Sequence, residues 1–250
     1  MSTLALEVKN LEKVFGAFQV TRDVCLNLPE GARHALIGPN GAGKTTLVHQ
    51  ISGLLKPTRG SILLCGQDIT QASPAQRTKG GMARTFQINS LFSKLTVAEN
   101  IGIAVAARHG IEGSMGRPLT SRYQVMDEVV ELLQSLSLTD LASKQIAELA
   151  YGQRRLVEIA LALATKPAVL LLDEPVAGVP TTEGKRLFEM FERLPERIAV
   201  LVIEHDMNLV FNFARTITVM VEGAVLVEGP TRDIRTDERV RDVYLGKRHA

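Results

Sequence analysis

The stretch "HALIGPNGAGKTTLVHQ", from His34 to Gln50, limits the possible folds more than any other. A short apolar run leads into Gly38, Pro39, Asn40, Gly41, Ala42, Gly43, Lys44 and Thr45, the spacing G-x-x-x-x-G-K-[ST]. Thr46 opens the helical pattern that follows. The glycines let backbone N–H groups close around phosphate oxygens. Lys44 is placed to put its charge on the β- and γ-phosphates, and the Thr45 hydroxyl is a Mg²⁺ ligand type. Such a loop works only where a strand feeds a helix, so the chain is expected to be α/β, with a P-loop (RecA-like), mostly parallel sheet as its core.

The rest of the chain fits that core. "LALEVKNLEKVF", "VTRDVCLNL" and "GSILLCGQDI" predict an N-terminal antiparallel β part. "AVLLL" and "IAVLVI" are continuous apolar runs, the pattern of strands buried on both faces. Helical patterns separate them, in "LVEIALALAT" and "TTEGKRLFEMFERL", and "DMNLVFNFA" follows. "TITVMVEGAVLVEGP" predicts a hairpin around Glu222 and Gly223. Between about Asn89 and Glu148 the character is helical. Thr96 and Glu99 have capping-box spacing, as do Ser121 and Gln124, and "LTDLASKQIAEL" predicts a third helical piece. The expected organisation is a single domain, with an α/β core of 1–88 and 149–250 and an all-helical subdomain at 89–148. The C-terminal "TRDIRTDERVRDVYLGKRHA" is expected to be a short surface helix with a frayed end.

Composition narrows the function class. Apolar residues make up 45% and the formal net charge is +2, so no phosphate-backbone footprint supports a nucleic-acid partner. The apolar runs are strand-length, far short of the roughly 20 residues a membrane helix needs. The N-terminus lacks a signal-peptide pattern. A membrane role is therefore expected to come through a partner. Cys25 and Cys65 make no metal or redox pair and are expected to be half-buried thiols.

Other residues could complete a phosphate site. Asp173 and Glu174 end the "AVLLLDEP" run, and ligands collect beyond the carboxyl ends of parallel strands. There Asp173 can hold a magnesium shell and Glu174 can act as base toward water. Paired acids at a strand end also cap helices, so they take meaning from the phosphate loop. His205 ends the next strand, where an imidazole can contact a γ-phosphate or be a plain surface residue. Gln87 can ligate Mg²⁺ or hold water, or simply face solvent. A second helix start, at Tyr151-Gly152-Gln153, is itself an anion-site geometry, which raises the question of why one chain carries two.

Taken in order, these residues resemble the ATP-binding subunit of an ABC transporter, and the resemblance covers almost the whole chain. It implies an ATP hydrolase using ATP and Mg²⁺, with Gln87 as a glutamine loop, Asp173 and Glu174 as the acidic pair and His205 as a switch histidine. Phe15 falls where the family stacks an aromatic on adenine. Leu149, Ala150, Tyr151, Gly152 and Gln153 stand for the signature turn, which in the family completes the ATP site of a second, head-to-tail subunit. The chain departs from the usual pattern where Ala150 and Tyr151 replace serine and glycine, and where Pro180 replaces an aspartate. The Tyr-Gly-Gln turn, "DEPVAG" and "VEGP…VRDVYLG" are similar to ATPases of branched-chain amino-acid uptake systems. That class implies a second ATPase subunit, separate permease chains, an extracytoplasmic binding protein, and a peripheral place on the cytoplasmic face of the membrane. An exporter or lipid-transporter ATPase is the alternative. A soluble ABC ATPase acting on nucleic acid or ribosomes would need the second cassette or long arms that this chain lacks, and a switch GTPase would leave the signature turn unexplained.

Overall fold

In a computed structural model, residues 3–85, 91–111, 123–179 and 181–245 are described. Two sheets share one buried helix. The first has strands β1 (Leu4–Phe15), β2 (Phe18–Pro29), β4 (Arg59–Leu64) and β5 (Gln67–Asp68) in the antiparallel order β2-β1-β4-β5. The second has β3 (Arg33–Ile37), β6 (Met82–Arg84), β7 (Val169–Asp173), β8 (Ala199–Ile203), β9 (Thr216–Val221) and β10 (Ala224–Pro230) in the order β10-β9-β3-β8-β7-β6. All its neighbours are parallel except the β9–β10 hairpin, which turns at Glu222 and Gly223. This is the α/β architecture expected from the sequence, with its antiparallel N-terminal part.

Alternation along the parallel strands divides the core in two. Leu36, Val169, Leu171 and Leu201 face α1 (Lys44–Ile51) and the inner side of the antiparallel sheet. Ala35, Leu170, Leu172 and Val202 face the opposite way, toward α5 (Tyr151–Ala164), α6 (Thr181–Glu192) and α7 (Met207–Phe213). Phe188, Phe191 and Phe213 meet edge to face there, with centroids 5.4–6.3 Å apart. The short α2 (Pro74–Lys79) follows β5 with a complete capping box at Ser73 and Gln76.

Between β6 and β7, α3 (Val97–Arg108) and α4 (Tyr123–Ser135) bury Ile101, Val105, Val125 and Val129 in the same core as α5. The Thr96–Glu99 capping box forms, with Glu99 accepting the Thr96 N–H at 2.7 Å. Ser121 lies outside the described residues.

Three local readings need correction. "LTDLASKQIAEL" makes two 3₁₀ turns, Thr139–Leu141 and Ile146–Glu148, not a helix. Its Ile146 and Ala147 N–H groups donate to the Leu95 and Ser93 carbonyls, so the backbone bonds outward to the start of α3. The C-terminal segment makes two helices, α8 (Thr231–Ile234) and α9 (Glu238–Leu245), which bury Ile234 and Val240 in the main core. Both cysteines are exposed rather than half-buried.

Candidate nucleotide site

The phosphate loop is held from below and from the side. Gly38 leaves β3 at φ 151°, and a Cβ there would lie 2.1 Å from the Met220 carbonyl of β9. Gly43, at φ 94°, would place a Cβ 2.8 Å from the Val20 carbonyl. Only glycine lets the loop pass this close to two strands. The hairpin tip braces it further: the Gly223 N–H donates to Ala42 at 3.0 Å, and the Arg22 N–H donates to Gly223 at 2.7 Å. The loop is thus fixed between both sheets, and the first N–H groups of α1 have no intrahelical acceptor.

Lys44 is buried and donates to the carbonyls of Gly38 at 2.7 Å and Pro39 at 3.0 Å. Burial lowers its pKa, and the nearby charges of Glu174 and Asp173 work against that shift. A phosphate would draw the ammonium off these carbonyls. Thr45 is exposed at the helix start.

The acids stand at the same sheet edge. Asp173 ends β7, and its carboxylate takes a 2.7 Å ion pair from Arg84 at the end of β6. Glu174 follows in left-handed backbone, φ 46°, with its N–H on the Ile203 carbonyl at 2.9 Å. Its Oε1 meets His205 Nε2 at 2.6 Å, with both side chains half-exposed. A cavity of about 280 Å³ opens beside this pair, lined among others by Glu174, Glu204, His205 and Asp206. Buried Glu204 accepts the N–H groups of Val176 at 3.3 Å and His205 at 2.8 Å, so one carboxylate fixes both loops. Asp206 caps α7 through the Asn208 N–H at 2.9 Å.

Phe15, at the end of β1, is 51% exposed, so it is not a core residue. Lys13 Nζ lies 4.9 Å from its ring centroid. Gln87 lies outside the described residues, as does Pro180. The donor set of Asp173 carboxylate and Thr45 hydroxyl is all hard oxygen, and the guanidinium already on Asp173 marks that position as one that draws a cation. The residues present therefore fit Mg²⁺.

The second helix start lies elsewhere. Ala150 precedes α5, and the Gln153 side chain accepts the Ala150 N–H at 3.0 Å. Ala150 has no side-chain acceptor for the Gln153 N–H, so the turn keeps only the reciprocal bond, from the Ala150 N–H to the Gln153 side chain. Leu149 and Gly152 are buried and Tyr151 is partly exposed. The Tyr151 ring lies over Gly178, 3.5 Å from where a Cβ would be, and 6.0 Å from the Arg155 guanidinium. Arg155 also reaches the Glu174 carbonyl at 3.4 Å. So α5 starts at the carboxyl edge of the sheet, as α1 does, but on the other face. Each helix layer is roughly 10 Å across and the sheet lies between them. One phosphate group cannot touch both starts of one chain.

Residues 21–177 match the family model described as ABC transporter. The chain belongs to the ABC transporter family. The ABC cassette is 37% identical over 254 residues to the high-affinity branched-chain amino acid transport ATP-binding protein LivG of Escherichia coli (strain K12), covering 99% of this chain and 100% of the relative. It matches the crystal structure of the ADP conformation of MJ1267, an ATP-binding cassette of an ABC transporter, with TM-score 0.81 and 31% identity over 98% of this chain and 99% of that one. It also matches a dimeric post-hydrolysis structure of the cassette MJ0796 bound to ADP and Pi, with TM-score 0.75 and 26% identity over 91% and 99% of the two chains. As an ABC ATPase it is an ATP hydrolase. No helix among the cassette's described residues is long and apolar enough to cross a membrane.

Sequence reasoning missed two residues of the site. Arg84 carries no motif, and its partner is 89 positions away. Glu204 directly follows β8, and its role in tying two loops depends on the β7–β8 pairing, which no local pattern reveals.

Proposed function

We propose that this ATPase energises solute uptake through separate membrane permease chains, with branched-chain amino acids or related amides and acids as the solute class. The observation that carries the mechanism is the placement of two helix starts at one sheet edge on opposite faces. Each ATP then sits between the Gly38–Thr45 loop of one subunit and the Leu149–Gln153 turn of another. In support, a dimeric cassette is among the similar solved structures. The solute class follows the similarity to LivG.

In this reading Phe15 stacks on adenine, the loop amides cradle the phosphates, and Lys44 exchanges its carbonyl partners for the β- and γ-phosphates. Thr45, Asp173 and Gln87 hold Mg²⁺, which when bound neutralises charge on the phosphate oxygens. Glu174 accepts the proton of the attacking water, and His205 orients Glu174 and the γ-phosphate. The signature turn supplies backbone N–H groups to the partner's γ-phosphate, with Ala150 offering no hydroxyl. Loss of that phosphate removes what joins the two chains. The subunit works peripherally on the cytoplasmic face, with an extracytoplasmic binding protein delivering solute and no nucleic acid involved.

The test is affinity purification of the full chain from native membranes, followed by uptake measurements. Co-elution of permease chains and loss of branched-chain amino-acid uptake in the Glu174→Gln strain are expected. Association with an exporter, or uptake that does not depend on the chain, would overturn the reading.

A further inference from the structure

The proposed catalytic cycle does not use the contact between Arg84 and Asp173. Parallel pairing sets Arg84 beside Leu171, so Arg84 and Asp173 project from the same face of the sheet, the face toward α1. The guanidinium is nearly buried. Nη2 donates to Asp173 Oδ2 at 2.7 Å, and Nη1 donates to Ser52 Oγ, just past α1, at 3.1 Å. The neighbouring Thr85 N–H donates to the Leu171 carbonyl at 3.1 Å, which fixes the strand end that carries Arg84. A planar fork held at both ends and facing a carboxylate is a directional, charge-assisted contact, not a loose surface pair.

We propose that Arg84 is a positioning residue that occupies the Asp173 carboxylate as a built-in cation and keeps divalent metal out until nucleotide brings it in. This rests on the reading of Asp173 as a metal ligand. A carboxylate neutralised by a guanidinium offers a free divalent ion little net attraction. A triphosphate adds enough negative charge to reverse that balance, and Asp173 is then shared with the arriving metal. Arg84 also lets the loop accept metal-free nucleotide, because it shields the phosphates from Asp173. Ser52 holds the guanidinium in place during the exchange.

The test uses Mn²⁺ alone, followed by electron paramagnetic resonance on the full chain without nucleotide, together with a fluorescent ATP analogue titrated with Mg²⁺ and with EDTA. Arg84→Gln leaves a shorter, neutral amide in place of the guanidinium, and should tighten nucleotide-free Mn²⁺ binding about tenfold, the scale of one charge-assisted contact. It should also weaken EDTA-condition nucleotide binding by a similar factor while leaving the Mg²⁺ affinity near wild type. A merely structural role would weaken both nucleotide affinities together. Arg84→Lys should behave as wild type toward Mn²⁺, and Asp173→Asn should cancel the gain in Arg84→Gln. Unchanged Mn²⁺ affinity in Arg84→Gln overturns the proposal. So does tight nucleotide-free Mn²⁺ binding by the wild-type chain, a measurement that needs no variant to fold. If wild type binds no Mg²⁺–nucleotide at all, the nucleotide-site reading fails instead.

Discussion

His34 lies on β3, four residues before Gly38, and is buried with its Nε2 2.7 Å from Thr218 Oγ1. Thr218 donates its only proton to Glu228 Oε2 at 2.5 Å, so it must accept from an Nε2–H tautomer of His34. Burial pushes the imidazole pKa down from 6.5 to about 4. The folded value lies below the unfolded one, so the unfolded chain takes the proton first. The stabilisation is complete above about pH 7 and fades as pH falls from 6.5 toward 4. At pH 5 the unfolded imidazole is almost fully protonated and the folded one mostly neutral, and linkage puts the loss at about 2 kcal/mol. Urea unfolding at pH 7.5 and pH 5.0 measures it, with His34→Gln as the reference because glutamine does not titrate. Wild type should lose about 2 kcal/mol more than the variant between the two pH values. An equal loss in both chains would refute the argument that His34 is held neutral.

Other outcomes follow from the proposed roles. Lys44→Ala should abolish hydrolysis in a phosphate-release assay and weaken nucleotide binding more than tenfold, since the loop loses its one buried ammonium. Glu174→Gln should lower turnover by roughly 10²–10⁴ while still binding ATP; wild-type turnover would remove Glu174 as base. Ala150→Ser should change turnover little, because Gln153 already fixes the turn through the Ala150 N–H. Gly152→Asp should leave ATP binding at the variant's own loop intact in a fluorescence titration, yet prevent ATP-driven pairing. It adds a negative charge to the turn proposed to meet the partner's phosphates, at a glycine that is buried in the single chain.

Local chemistry made much of this architecture legible. The phosphate loop sits in consecutive residues, and the apolar runs of β7 and β8 are strand-length and bounded by turn formers. The capping box at Thr96 is equally local. What could not be read depends on pairing. The 139–148 segment has helical composition, but its N–H groups find carbonyls at the start of α3, a long-range choice that composition does not encode. Arg84 joins the site only because β6 is parallel to β7 in the register that aligns Arg84 with Leu171. The opposite-face relation of α1 and α5 likewise follows from sheet order and from the alternation along β3 and β7. On the proposed reading, that relation makes the second helix start half of a site completed by another chain rather than a duplicate.

Light scattering on the Glu174→Gln chain tests this central claim most directly. It would be measured with Mg²⁺ and ATP, alone and mixed with the companion ATPase chain that co-purifies with it, and repeated in the Gly152→Asp background. The account predicts a two-subunit mass in at least one of these mixtures only when ATP is present, and loss of that pairing with Gly152→Asp. A Glu174→Gln chain that binds ATP yet stays single in both mixtures, or a Gly152→Asp chain that pairs as well as its parent, would contradict it.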